Sequence, residues 1–332
     1  MAVGNTDTLN ALKGDVRRYQ YHVDVLPMTT RIIVLRSMIL QQSSLKYLVV
    51  SFDDSYNTFT CESIIFIEED MAKVISFANQ KGGVGKSTLC IQQAFYLSLI
   101  KKKKVLVIDM DGQGNTSSRL APRKQLNEDE YEPFFYGIKS ANLFEDELES
   151  IDIMSCPCGA DLIYTPKNDP DLFEMEAVPL EQALNPVKHL KQIFDDYDFV
   201  LIDCPPSLGR KLVAALVMST HVVCPVKLSG FAVDGVEGLL NTIIGVREEY
   251  NPKLDILGII INDMDRSVSH NKALKALENS IPDLLFKNKI MHRAPLDNAT
   301  SDGVPVWDLR YGHVAAKEMK AVLEELLEKV GK

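Results

Sequence analysis

The sequence predicts an α/β domain, a mostly parallel sheet with helices on both faces, and three observations carry that expectation. Short, almost wholly apolar runs recur: Val74-Ile-Ser-Phe-Ala78, Val105-Leu-Val-Ile108, 162–164, Phe199-Val-Leu-Ile202, His221-Val-Val-Cys-Pro-Val226 and Ile256-Leu-Gly-Ile-Ile-Ile261. A strand covered on one face alternates apolar and polar residues, whereas a strand covered on both reads as a continuous apolar run. Helical stretches near 186–195, 209–218, 231–249 and 268–279 separate the runs, as crossover connections between parallel strands require. The chain's 332 residues, 46% apolar and 25% charged, can bury such a core without disulfide or metal staples.

In chain order, residues 1–70 come first, with apolar patterns such as Arg31-Ile-Ile-Val-Leu35 and Tyr47-Leu-Val-Val-Ser-Phe52. They contain no glycine loop, capped helix pair or helix-turn-helix signature, and form an extension of unknown role. From Met71 a strand runs into a glycine loop, a helix and a second strand ending at Asp109, which is one βαβ unit. Lys101 to Lys104 close its helix, where cations suit the helix dipole, and are read as a turn rather than a DNA site. The last helix carries Ala315, Met319, Val322, Leu326 and Val330 at spacings of 4, 3, 4 and 4, an apolar stripe for the sheet. Lys320/Glu324 and Glu325/Lys329 are spaced for i,i+4 pairing. Its acidic polar face, without Trp or Phe, does not fit a membrane-surface helix.

Charge and cysteines narrow the function classes. Lys plus Arg number 36 against 46 Asp plus Glu, a net charge of −10, which argues against coating nucleic acid through overall charge. Residues 128–181 alone carry −13, so the remainder nets +3 and leaves room for a basic patch. Cys61, Cys90, Cys156, Cys158, Cys204 and Cys224 lie mostly in apolar runs behind no secretory signal and are read as reduced thiols of a cytoplasmic protein. Arg36, Gln41 and Lys46 break the most hydrophobic N-terminal stretch well short of the roughly 18 to 20 residues that span a bilayer. Cys156-Pro-Cys158 lacks the second thiol pair or the histidine that zinc spacing needs.

The strongest chemical signal is Lys81-Gly-Gly-Val-Gly-Lys-Ser-Thr88, between a predicted strand and helix. Backbone N–H groups from Gly82, Gly83, Val84 and Gly85 through Lys86, Ser87 and Thr88 can wrap a polyphosphate at the helix N-terminus. The glycines let the backbone approach, Lys86 supplies a cation to the β and γ groups, and the Ser87 hydroxyl can ligate Mg²⁺. A tight glycine turn alone would not call for the lysine and hydroxyl. Gln80 stands where the first glycine of such loops usually falls, and a second lysine, Lys81, follows it.

With that deviation the sequence resembles the deviant Walker A P-loop NTPases, and among them the ParA family of partition ATPases in the ParA/Soj/MinD superfamily. Val105 to Thr116, ending Asp109-Met-Asp-Gly-Gln-Gly-Asn-Thr116, is similar to the family's second strand and loop. Tyr197-Asp-Phe-Val-Leu-Ile-Asp-Cys-Pro-Pro-Ser-Leu-Gly209 resembles its Walker B strand and switch, and Ala299 to Val306 with Ala315-Ala316 resembles its C-terminal segment. The likeness covers 71–332; Gly112 stands where the family has proline, and the first 70 residues have no equivalent in shorter members. Met71-Ala-Lys-Val-Ile opens as members commonly open, behind Glu68-Glu-Asp70, whose codons can be purine-rich. Residues 1–70 are therefore expected to be an upstream reading rather than a domain.

The resemblance implies roles. Asp203, ending an apolar strand, would meet Mg²⁺ with Ser87, which removes the penalty of a buried carboxylate. Asp111 would orient the attacking water; Asp109 is open between the magnesium's outer shell and a strand-end cap. Lys81 would cross to the nucleotide of a second subunit and act as an arginine finger does, in a homodimer sandwiching two ATP. Asn262 is either an adenine contact or a strand-terminal cap. Arg266 falls where the family carries a DNA-contacting arginine and Arg293 lies near another, in a stretch, 262–293, of net charge +2. Such a patch would hold DNA phosphates without reading bases, or be a solvated helix face.

The function implied is that of a cytoplasmic, nucleoid-associated ATPase, slow alone, that dimerises on Mg-ATP, binds DNA non-specifically and is released when a ParB-type centromere-binding protein stimulates hydrolysis. No membrane partner is expected. The alternatives are a MinD-like membrane-associated positioning ATPase, a ParA-like ATPase that positions another cargo, and a nitrogenase-reductase-like iron–sulfur enzyme, for which Cys204 looks misplaced.

Overall fold

The computed structural model describes residues 72–127, 130–228 and 232–331, together with strand backbone at Arg31–Ser37, Lys46–Asp53 and Thr58–Thr60. The chain divides into two units, Met1–Asp70 and Met71–Lys332. In the first, β1 (Arg31–Ser37), β2 (Lys46–Asp53) and β3 (Thr58–Thr60) form an antiparallel sheet in that order, with Arg31 opposite Phe52 and Ser37 opposite Lys46. The upstream-reading expectation for 1–70 otherwise lies outside the described residues, as does Cys61.

In the second unit the chain runs β4 (Lys73–Phe77), α1 (Lys86–Phe95), β5 (Val105–Asp109) and α2 (Asn115–Leu120), then a hairpin of β6 (Arg123–Gln125) and β7 (Tyr131–Pro133). There follow β8 (Met154–Ser155), β9 (Asp161–Ile163), the short helices α3 (Pro170–Glu174), α4 (Leu180–Ala183) and α5 (Asn185–Leu190), and β10 (Phe199–Asp203). The remainder is α6 (Arg210–Met218), β11 (His221–Lys227), α7 (Ala232–Glu249), β12 (Asp255–Asn262), α8 (Val268–Ser280), α9 (Ala294–Asp302) and α10 (His313–Val330). Seven strands make one sheet in the order β12-β11-β4-β10-β5-β9-β8, parallel except for β8 against β9.

The apolar runs are continuous because each strand feeds two cores. Ile75, Phe77, Val107, Leu201, Val223 and Ile260 face Leu89 and Ile91 of α1 and Met319, Val322 and Leu326 of α10. Val74, Leu106, Ile108, Val200, Val222 and Ile259 face Leu212 and Leu216 of α6, Leu239 and Ile243 of α7 and Leu277 of α8. The predicted stripe of α10 is the face it buries.

The i,i+4 pairs expected on α10 do not form, because both acids have partners elsewhere in the chain. Glu324 accepts from the Tyr96 hydroxyl and from Lys101 Nζ (2.9 Å). Glu325, 8% exposed, accepts from the amides of Lys287 (2.7 Å) and Asn288 (2.9 Å) and from Asn288 Nδ2 (2.8 Å), the multiple donors a buried carboxylate requires. These bonds hold 286–292 along the outer side of β12, where Phe286 N meets Ile259 O, Ile290 N meets Ile261 O (both 2.9 Å) and His292 N meets Met264 O (2.8 Å). The lysine run is a turn: α1 passes into a π turn at Tyr96–Ile100, Lys102 has φ 56°, and Lys103 pairs with Asp198 at 3.1 Å.

Candidate nucleotide site

The site lies where β4, β10 and β5 end side by side, since their register puts Asp203 opposite both Phe77 and Asp109. Strand tips of this kind are where open α/β sheets bind ligands. Asn79, just beyond β4, fixes the start of the loop: its Nδ2 donates to Pro225 O (2.6 Å) and its Oδ1 accepts from Lys81 N (2.9 Å). Gly83 and Gly85 then take φ of 68° and 95°, the left-handed region that glycine tolerates. Among the described residues, a side chain on Gly82 or Gly83 would touch nothing within 4 Å, which leaves the loop's outer face clear of them. The first-turn amides of α1, capped by Gly85, end at this concavity.

Lys86 is 5% exposed, and its ammonium donates to Lys81 O at 3.2 Å, lying across the mouth of the loop. Lys81 is exposed and its ammonium lies beside Gly235 of α7 in the same chain, where an added Cβ would sit 3.3 Å away. Thr88 Oγ1 accepts from Thr300 Oγ1 of α9 at 3.4 Å. Asn262 donates through Nδ2 to Val84 O (2.9 Å) and packs so closely that a Cβ on Gly85 would meet that nitrogen at 2.0 Å. It braces the loop from β12, while its Oδ1 is buried without a hydrogen-bond partner among the described residues.

The three acids are in different states. Asp109 is wholly buried and fully engaged: Oδ1 accepts from Asp111 N (3.2 Å), and Oδ2 from Ser117 N (2.8 Å) and Ser117 Oγ (2.7 Å). These are the bonds of the cap, and burial beside Asp203 raises its pKa. Asp111, 6% exposed, uses Oδ1 to accept from Gln113 N (3.0 Å). Asp203 is wholly buried; Oδ2 accepts from Thr116 Oγ1 (2.7 Å) and Oδ1 has no hydrogen-bond partner among the described residues. Burial lifts its pKa to about 6, against the opposing hydroxyls of Thr116 and Ser87 and the charge of Lys86.

An orphaned buried carboxylate oxygen beside a serine hydroxyl and a lysine fits a hard divalent cation on a polyphosphate. Ser87 and Asp203 would hold the cation, and the glycine loop with Lys86 the phosphates. Asn79 and Thr116 were not singled out from the sequence. Thr116 ends the quoted Gly-Asn-Thr stretch, but only the fold brings it across to Asp203.

The basic stretch is partly available. Arg266, Lys272 and Lys275 are exposed along the start and outer face of α8. Arg293 is held by Glu318, which accepts from Nε (2.8 Å) and Nη2 (2.6 Å), so its charge is balanced within the chain. Cys204 is fully buried, and burial raises its thiol pKa, unlike a cluster ligand held at a subunit surface. Cys156 and Cys158 sit in the turn between β8 and β9, where the Cys156 thiol's hydrogen bond helps lower Cys158 to about 7. No described helix is long and apolar enough to cross a membrane.

A family model described as an AAA domain matches residues 72–256. The sporulation initiation inhibitor protein Soj of Bacillus subtilis is 32% identical over 239 residues, 71% of this chain and 90% of that protein. The chromosome-partitioning ATPase Soj of Treponema pallidum is 32% identical over 269 residues, 79% and 99% of the two. A crystal structure of a putative plasmid partition protein from Borrelia burgdorferi bound to AMPPNP is similar with a TM-score of 0.61 at 26% identity, covering 78% of this chain and 99% of that one. A McdA–ATP complex from Cyanothece, at 20% identity and TM-score 0.65 over 79% and 97%, shares the fold. Sheet order, phosphate loop and relatives agree, and the chain belongs to the ParA/Soj/MinD family of P-loop ATPases.

Proposed function

We propose that this chain is a partition ATPase that binds ATP and Mg²⁺, dimerises around the nucleotide, holds DNA without sequence preference and lets go when a ParB-type partner stimulates hydrolysis. The observation that carries the nucleotide step is the glycine loop facing Asp203, whose buried Oδ1, beside Ser87 and Lys86, lacks a hydrogen-bond partner among the described residues. Relatives named as a chromosome-partitioning ATPase and a plasmid partition protein support the cellular role. Mg²⁺, when bound, neutralises phosphate charge.

The chain's own residues do the rest. Lys86 steadies the β and γ phosphates, and the amides of residues 82–88 wrap them. Asp111, two residues beyond the end of β5 and tethered by the Gln113 amide, orients the attacking water. Lys81 would leave Gly235 for the partner subunit's nucleotide, placing a second cation on the transferred charge. Arg266, Lys272 and Lys275 offer phosphates a run of free cations, with Arg293 already neutralised by Glu318. A protein of net charge −10 holding DNA this way attaches weakly and in a salt-sensitive manner. The test is binding to unrelated duplexes with ATP, with ADP and without nucleotide: retention only with ATP is the expected result. Equal binding in all three states overturns the cycle.

A further inference from the structure

The segment between β9 and β10 lies against both loops that carry the site's acids. Asp169 N donates to Gly112 O (3.0 Å), and the Phe173 ring packs on Gly112 so tightly that a Cβ there would approach it to 2.8 Å. Gly112 directly follows Asp111. A few residues on, Glu176 Oε1 accepts from Ser207 Oγ (2.8 Å) and lies 3.6 Å from Lys211 Nζ. Its Oε2 is pressed on Gly209, where a Cβ would come within 1.9 Å. Ser207 to Gly209 form the loop that leaves Asp203. Lys139 anchors the near end of the segment, pairing with Asp171 and lying 3.9 Å from Asp169.

Stability alone does not explain this arrangement. Lys211 is 2% exposed in the first turn of α6, where the helix dipole opposes a cation, and it rests over the Phe173 ring at 5.3 Å. Its ion pair with Glu176 is open rather than closed to hydrogen-bond distance, and the Glu176 Oε2 atom is buried with no hydrogen-bond partner among the described residues. A buried lysine held only by a partly exposed carboxylate at this distance stabilises poorly, since an apolar side chain of the same shape would avoid its desolvation cost. What it does provide is a link from Phe173 on the Asp111 side, through Lys211 and Glu176, to Ser207 on the Asp203 side.

We propose that Glu176 is a positioning residue for hydrolysis: the strap from Asp169 to Glu176 ties the two loops, so that the water-orienting and metal-side acids move together. The proposal rests on the ATPase reading above. Ser207 and Phe173 contact opposite ends of the link, so their substitution separates coupling from simple loss of stability.

The experiment compares Ser207→Ala, Phe173→Ala, the double variant and Glu176→Ala with wild type, reading kcat, ATP affinity and amide exchange at Gln113, Gly114 and Asp169. Each single change should lower kcat on the order of 10- to 100-fold, as a misplaced reacting group does, with ATP affinity unchanged. The double variant and Glu176→Ala should fall no further than the worse single. Ser207→Ala should also speed exchange at Gln113 and Gly114, on the far loop. Losses that multiply in the double variant, unchanged kcat in the singles, or exchange altered only beside Ser207 each overturn the strap. The exchange readout needs no turnover, so a wild type that releases no phosphate would count against the ATPase reading and leave the strap to be judged on exchange.

Discussion

Replacing Asp203 by Asn should stabilise the nucleotide-free protein at neutral pH while destroying its use. Burial raises the Asp203 pKa from 3.8 to about 6, so the native state holds the proton more tightly than the unfolded chain. The stability this contributes is fully present below the unfolded value and is lost as pH rises through about 6. About two pKa units at 1.36 kcal/mol each make a difference of about 3 kcal/mol between pH 4 and neutrality. The group is wholly buried, so solvent screening does not reduce it. Asparagine keeps an oxygen for the Thr116 hydroxyl and carries no charge to bury. Urea unfolding of both proteins without metal or nucleotide, from pH 4 to 8, reads Asp203 together with Asp109, whose pKa the Asp203 charge raises, because the more distant titrations largely cancel in the difference. The variant should match wild type near pH 4, exceed it by about 3 kcal/mol at pH 7.5 and fail to bind Mg-ATP. A difference that stays flat with pH, or favours wild type at pH 7.5, would refute the reasoning.

Lys86→Ala should abolish ATP binding and dimerisation together, read by nucleotide titration and size-exclusion chromatography. Asp111→Ala should bind ATP and dimerise yet lose about 10²- to 10⁴-fold in phosphate release, the usual cost of one water-orienting group; a monomeric variant, or one with wild-type turnover, assigns the wrong carboxylate. Arg266→Glu should weaken ATP-dependent binding to all DNA sequences alike and flatten its salt dependence without affecting dimerisation. Gly85→Ala should cost about 1 to 2 kcal/mol for the left-handed backbone alone, and more because its Cβ would displace Asn262, so both the unfolding midpoint and ATP affinity should fall.

The strands and the phosphate loop were legible because their signals are local: apolar runs without alternation, and a glycine loop set between strand and helix. The acids were legible as far as their positions at strand ends. Asp109 remained ambiguous from sequence because its cap, Ser117, becomes visible only once α2 folds back over β5. The pairs predicted on α10 failed for the opposite reason. Helical spacing makes Lys320/Glu324 and Glu325/Lys329 feasible, yet Tyr96, Lys101 and the amides at 287 and 288 lie nearer once the sheet is assembled. The strap was silent for the same reason, since no spacing relates Gly112, Phe173, Glu176 and Ser207. The β6–β7 hairpin, with its exposed and charged residues, lacks a turn dipeptide that would announce it.

The segment that Glu325 fastens beside β12 bears on how copies of this protein can meet. An outermost strand presents unpaired amides and carbonyls, a template onto which another chain's strand can be laid. Here the amides of Phe286 and Ile290 already occupy Ile259 O and Ile261 O, and Glu325 of α10 pins that cover through the amides of Lys287 and Asn288. Growth of the sheet from one molecule into the next is blocked on this flank. Glu325→Ala would loosen the cover rather than the nucleotide loop, and its signature would be slow, concentration-dependent fibrous aggregation in a protein that still binds ATP.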